Sequence, residues 1–213
     1  MAGHLVLLRD SILDNASYVP GGRPAVIDQV RSRLPEGWAA TLLARDGSVI
    51  DDVLRGQVSS IPGDASHLAL SVGGNDVLEQ IRILQEPVKT VAEALCVMLE
   101  SRLEFEGKHR QLLDALGARG LPLVVCTIYN PCSDDEGFQR AAVAALSHYN
   151  DAILNNARRQ GLPAIDLRAV CSEVSDYANE IEPSAHGGAK IADAILRVVA
   201  GHDFESRRCA VFP

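Results

Sequence analysis

The sequence predicts an α/β protein, a doubly wound parallel sheet of five strands in the order 2-1-3-4-5 with helices on both faces. Three observations predict it. Short Leu- and Val-rich runs alternate with longer amphipathic stretches, the pattern of repeated βαβ units. Connections between parallel strands cross over right-handed, and that constrains the strand order. The 213 residues are 47% apolar and 23% charged, enough for a full core and too apolar for wholesale disorder. At roughly 150 residues per domain this length fits one α/β domain spanning 1–213. Aromatic residues make up only 4%, so the core must be aliphatic.

Taken in order, the first strand is His4 to Leu8, followed by a helix near Arg23 to Leu34. The second strand is Ala40 to Ala44, with a helix from Ser48 to Val58. The third is His67 to Val72, and helical patterns then occupy Asp76 to Leu84 and Glu86 to Ala118, the latter with a break expected near Glu106 and Gly107. The fourth strand is Pro122 to Ile128. In the helix from Gly137 to Gln160, Ala142, Leu146, Tyr149, Ile153 and Ala157 recur at spacings of three and four, marking a core-facing stripe. The fifth strand is Pro163 to Leu167, and a helix from Ala185 to Val199 follows it. No linker or internal repeat interrupts the pattern.

Charge excludes some partners. With 20 basic and 28 acidic residues, 20 − 28 gives a formal charge of −8, and the basic residues are scattered, which argues against nucleic acid and anionic membrane. The apolar run Leu5 to Leu8 is far shorter than a signal-peptide core or the ~20 residues of a membrane span. A cytoplasmic protein without integral membrane association is expected. The five cysteines show neither CxxC nor metal-ligand spacing, so buried free thiols are expected rather than disulfides, and no metal site. Oligomeric state is left open.

A doubly wound sheet gathers its ligands at the carboxyl ends of its strands. Those ends carry Arg9-Asp10-Ser11, Arg45-Asp46-Gly47-Ser48, Gly73-Gly74-Asn75-Asp76 and Tyr129-Asn130-Pro131, and the loop beyond strand five delivers residues 179–188 to the same rim. These are the parts for acyl transfer. Ser11 fits a nucleophile at a turn, while a Gly47 N–H and the Asn75 amide fit donors to one developing oxyanion. A glycine at 47 lets a substrate oxygen approach the main chain. Singly, each has a plainer role as cap or turn residue; together, at successive strand ends, they favour chemistry. Asp76 reads as support for the Asn75 loop. Asp14, Asn15, Tyr129 and Asn130 are candidate substrate-binding residues, with wall packing as the alternative.

These residues resemble the SGNH, or GDSL-type, hydrolases, serine esterases and lipases on a flavodoxin-like three-layer α/β/α fold. Leu5 to Asn15, reading LVLLRDSILDN, is similar to the family's first block; Gly47 matches the second-block glycine; Gly73-Gly74-Asn75-Asp76 matches the third-block Gly-x-Asn-Asp. The resemblance implies Ser11 as nucleophile, an oxyanion hole from Ser11, Gly47 and Asn75, a small ester as substrate, and no cofactor. Two positions depart from the pattern. Arg9 replaces the first-block glycine, where a guanidinium can contact an anionic substrate group. The last block, Asp-x-x-His-Pro in the family, reads Asn179-Glu180-Ile181-Glu182-Pro183 here.

Three readings of that block stay open. His186 acts as base with Glu182 orienting it, feasible on one helical face if the helix begins before Ser184. Glu182 is itself the base, which requires burial to raise its pKa. Or there is no base, and the protein is a noncatalytic binding module. A nucleotide or FMN binder is disfavoured, because Asp10, Leu13 and Asp14 are poor phosphate neighbours. Few aromatics and no long apolar lid point to a small, water-soluble ester.

Overall fold

The apolar runs pair side by side because, buried on both faces, each satisfies its backbone only through neighbouring strands. The computed structural model describes residues 2–9, 12–19, 21–43 and 47–213, with Arg9 described by its backbone alone. Strands β1 (His4–Arg9), β2 (Ala39–Leu42), β3 (His67–Ser71), β4 (Leu123–Cys126) and β5 (Ala164–Ile165) form a parallel sheet in the predicted order. A sixth strand, β6 (Val211–Phe212), adds parallel to β5, so the order is 2-1-3-4-5-6 rather than five strands. The second strand ends at Leu42; Ala44, its expected end, lies outside the described residues.

Alternation along each strand assigns the layers. Leu5 and Leu7 of β1 face one side, with α1 (Val26–Arg33), α6 (Leu167–Val170) and α7 (Ala185–Gly201) packed over them. Val6 and Leu8 face the other, beneath α2 (Ile50–Asp52), α4 (Val91–Gly117) and α5 (Glu136–Gln160). Each buried Leu, Ile or Val contributes roughly 1.5–3 kcal/mol by leaving water, and both layers are built of them. The α5 stripe is buried as read, with Tyr149 1% and Ile153 0% exposed.

Three helices differ from expectation: the pattern read from Asp76 to Leu84 is a short helix, Gly74–Glu79, followed by a 3-10 turn, Ile81–Gln85. The segment expected as Ser48 to Val58 forms only the short α2, continued by tighter and wider turns to Ser60. The break expected at Glu106 and Gly107 is absent. Glu106 is buried, but Arg159 at 3.0 Å and Arg102 at 3.5 Å neutralise it, and α4 runs straight through. Among the described residues no helix is long and apolar enough to cross a membrane. All five cysteines are free, and Cys126 and Cys171 are buried.

Candidate active site

The loop after β3 is shaped by its glycines. Gly73 has φ +115°, and a Cβ there would lie 2.8 Å from the Phe105 ring, so no other residue fits. The chain then turns into α3 (Gly74–Glu79), which carries Asn75 and Asp76. Both reach across to the loop after β2. The Asn75 amide donates to the Ser48 carbonyl at 3.0 Å, and the Asp76 carboxylate accepts the Ile50 N–H, the start of α2, at 3.1 and 3.2 Å. Asp76 therefore caps a helix on the neighbouring loop rather than its own. Gly47, one residue before Ser48, has φ +79° and is exposed. No described atom lies within 4 Å of a Cβ built on it, and its positive φ is a backbone conformation that favours glycine.

The last block folds back on itself. The Asn179 side chain accepts the N–H groups of Ile181 and Glu182, both at 2.9 Å, the Asx turn its residue type favours. The Ala178 N–H donates to the Glu182 carbonyl at 2.8 Å, and Tyr177 bridges Pro183. Other elements hold this loop from outside. The Tyr129 hydroxyl donates to the Ile181 carbonyl at 2.6 Å, the Cys132 N–H to the Glu180 carbonyl at 2.8 Å, and the Asn15 amide to the Pro183 carbonyl at 3.1 Å. Asn15 also accepts the first N–H of α1, from Val26, at 3.0 Å.

So held, Glu182 is 4% exposed and lines one apolar-walled cavity of about 100 Å³ together with Asn75 and Tyr129. Ile12, Leu78, Ile81, Leu84, Phe138 and Leu146 supply much of the wall. Gln80 and Tyr149 also line it and are joined behind it through the Ser101 hydroxyl.

His186 sits elsewhere. The last helix begins at Ala185, as expected, and not before Ser184 as a pairing of Glu182 with His186 on one face requires; the Ser184 hydroxyl accepts the His186 and Gly187 N–H groups at 3.1 and 3.2 Å. Glu182 thus lies before the helix, and the two share no helical face. The imidazole is 59% exposed and does not line the cavity; its Nε2 is 3.8 Å from an Asp176 oxygen. Asp176 is fully buried. Burial alone would push its carboxyl up, but Lys190 at 2.8 Å and the N–H groups of Glu173 and Ser172 outweigh this and hold it below the usual carboxylate range.

Of the sequence-predicted residues, Asn75, Tyr129 and Glu182 come together. Ser11 and its neighbour Asp10 lie outside the described residues, as do Arg45 and Asp46. Asn15 is fully buried and its amide is used on Pro183 and Val26, a clamp beneath the site rather than part of the cavity wall. Asp14 is half-buried and Asn130, whose carbonyl accepts the Tyr177 hydroxyl at 2.8 Å, is half-buried too; neither lines the cavity. Asp176, Lys190 and the apolar wall escaped sequence reasoning. Asp176 and Lys190 are fourteen residues apart, and only the fold brings them into contact.

No family model matches the chain, and no curated relative matches it either. Solved structures do. A lipase from a goat rumen metagenome superposes with a TM-score of 0.73 at 16% identity, over 95% of this chain and 100% of that one. A member of the lipolytic G-D-S-L family from Veillonella parvula gives 0.65 at 18%, over 94% and 100%. The chain has the SGNH-hydrolase fold. An acetylxylan esterase from Geobacillus stearothermophilus shares this SGNH-type fold at a TM-score of 0.61 and 19% identity, over 95% of both chains. Such folds host varied substrates, so the residues at the rim must decide the chemistry.

Proposed function

We propose that the protein hydrolyses carboxylic esters through an acyl-Ser11 intermediate. The observation that carries this reading is the shared cavity: Asn75, the third-block donor of the resemblance, and a buried carboxylate, Glu182, face the same apolar-walled space. Ser11 Oγ attacks the ester carbonyl and its proton passes to Glu182, the base. One amide N–H of Asn75 is oriented by the Ser48 carbonyl; the second, with the Gly47 and Ser11 N–H groups, takes the oxyanion. Collapse of the tetrahedral intermediate expels the alcohol, which takes the proton back. Water then repeats the attack on the acyl enzyme and frees the acid. Cys171 offers no alternative nucleophile, since burial pushes its thiol up to about 12.

A second reading keeps His186 as base with Asp176 as its orienting carboxylate, supported by their 3.8 Å approach. It requires the ring to keep one nitrogen on a carboxylate that Lys190 already holds while the other nitrogen reaches Ser11.

Ser11→Ala, Glu182→Gln and His186→Gln variants, assayed on a short-chain nitrophenyl ester and with a fluorophosphonate probe, test the proposal. Ser11→Ala abolishes labelling, Glu182→Gln lowers kcat by about 10²-fold or more, and His186→Gln stays within a few-fold of the parent. The reverse order of the last two variants assigns the base to His186. Absence of Ser11-dependent turnover on every ester tried returns the binding-module reading.

A further inference from the structure

Two side-chain amides hold the two carbonyls that flank Ser184. Asn15 donates to the Pro183 carbonyl at 3.1 Å, and Gln29 of α1 donates to the Ala185 carbonyl at 2.7 Å. They come from different places. Gln29 belongs to a helix, whereas Asn15 stands four residues after Ser11, and Pro183 directly follows Glu182. Along the chain Asn15 and Pro183 are 168 residues apart. One hydrogen bond thus joins the segment of the nucleophile to the segment of the base, and the four residues from Ser11 to Asn15 span at most about 14 Å.

The tie is held at both ends. Asn15 is fully buried, its oxygen accepting the Val26 N–H at 3.0 Å while its nitrogen faces Pro183. Exchanging the two atoms would set donor against donor and acceptor against acceptor, so the partners fix the orientation of the amide. The residue before α1 is Ala25, which has no side-chain oxygen to offer, so the Val26 N–H depends on Asn15. Gly188 of α7 lies against the same junction. A Cβ there would come within 3.1 Å of Val26 and 3.6 Å of the Asn15 nitrogen.

Capping alone does not call for asparagine. A cap needs only an acceptor, which Asp or Ser supplies as well. Asparagine adds a donor, and here the donor goes to the residue next to Glu182. Asn15 does not line the cavity, so it has no substrate to bind there.

Resting on the ester-hydrolase reading with Glu182 as base, we infer that Asn15 is a positioning residue: it sets how the Glu182 carboxylate stands relative to Ser11. Gln29, on the far side of Ser184, serves the contact between α1 and α7. A general base works only within hydrogen-bond reach of the proton it takes, and a misplacement of about 1 Å can cost about 10²-fold. Removing the Asn15 tie costs less than that, because Tyr129 and the Asn179 turn still hold the loop.

Asn15→Asp is the informative variant, since it keeps the acceptor for Val26 and replaces the donor with a second oxygen. Ionised, that oxygen repels the Pro183 carbonyl; protonated, it donates to it again, and burial favours the protonated form. Turnover of a short-chain nitrophenyl ester is counted per Ser11 titrated by a fluorophosphonate, so unfolded protein does not enter kcat. At pH 8 Asn15→Asp lowers kcat by about tenfold and leaves KM within about twofold, and by pH 5.5 its kcat returns to within about threefold of the parent at the same pH. Gln29→Leu lowers the urea midpoint but keeps kcat within about twofold. Should Asn15→Asp fail to fold, Asn15→Ser, whose short side chain caps α1 without reaching Pro183, carries the same comparison of kcat with KM.

An Asn15→Asp protein with the parent's kcat at both pH values, beside a Glu182→Gln variant that has lost activity, overturns the positioning role and leaves the ester reading standing. A kcat loss of the same size in Gln29→Leu makes Asn15 one strut among several between α1 and α7, and the proposal falls. Full activity of Glu182→Gln, or no Ser11-dependent turnover in the parent, removes the reading beneath it.

Discussion

Gly187 sits in the first turn of α7 directly under the backbone of Asp176, and Gly187→Ala sets two known effects against each other. Helix propensity alone favours Ala by about 1 kcal/mol. Yet the added Cβ would lie 2.2 Å from the Asp176 carbonyl oxygen and 3.0 Å from its carbon, where carbon and oxygen ordinarily stay about 3.3 Å apart. The start of α7 must therefore withdraw by about 1 Å. That motion pulls on contacts already near ideal length: the Ser184 N–H to the same carbonyl at 2.8 Å, the Ser184 hydroxyl to the Ser175 carbonyl at 2.7 Å, and Lys190 to the Asp176 carboxylate at 2.8 Å. Loss of two hydrogen bonds at about 1 kcal/mol each and about 1–3 kcal/mol of overpacking outweigh the propensity gain, leaving about 2–4 kcal/mol of destabilisation. With a urea slope of about 2 kcal/mol/M, the midpoint falls by about 1–2 M. Gly107→Ala is the control, a mid-helix glycine in α4 with open space around its Cβ, and it adds about 0.5–1 kcal/mol of stability, raising the midpoint by about 0.25–0.5 M. A Gly187→Ala protein as stable as the Gly107→Ala one would refute the packing argument.

Asn75→Ala removes one oxyanion donor and lowers kcat by about 10²–10³-fold, with a stability loss of only about 1 kcal/mol for the bond to Ser48; a variant that keeps full kcat removes Asn75 from the mechanism. His109 is fully buried between Phe105 and Asn156, and burial pushes its pKa down to about 4. Between the unfolded value near 6.5 and pH 4 the unfolded chain binds the extra proton, so stability falls as pH falls through that window and is unaffected by this group above it. From pH 7.5 to pH 5 the parent loses about 2 kcal/mol that a His109→Gln variant does not, read from urea midpoints at both pH values; parallel curves would contradict the assignment.

The strands β1 to β5 and the α5 stripe were legible because apolar runs and a 3.6-residue period report burial directly. β6 was not: two residues after an irregular stretch have no pattern, and their pairing comes from the Ala164 N–H to the Ala210 carbonyl and the Asp166 N–H to that of Phe212. The expected break in α4 came from reading Glu106 and Gly107 by local propensity, whereas Arg159, fifty-three residues away, decides it. At the site, Gly73 to Asp76 carried a local signature. The last helix was read from Ala185, where it begins, and Ser184 caps it, so the pairing of Glu182 with His186 across one helical face was already at odds with that start.

The loop from Tyr177 to Ser184 has almost no regular structure, yet its backbone is tied to the turn before α1 through Asn15, to the end of β4 through Tyr129, and to Cys132 beyond it. Loops on enzyme surfaces usually open on their own, at little free energy. Asn15 holds Pro183 with its amide N–H while its amide oxygen caps α1, the Tyr129 hydroxyl holds Ile181, and the Cys132 backbone N–H holds Glu180, so opening this loop breaks bonds to separate parts of the chain at once. Glu182 sits on that tied loop, whereas another part of the cavity wall comes from the end of α3, with Leu78, and from the 3-10 turn Ile81–Gln85, with Ile81 and Leu84, a stretch that Gln80 fastens to Ser101 of α4.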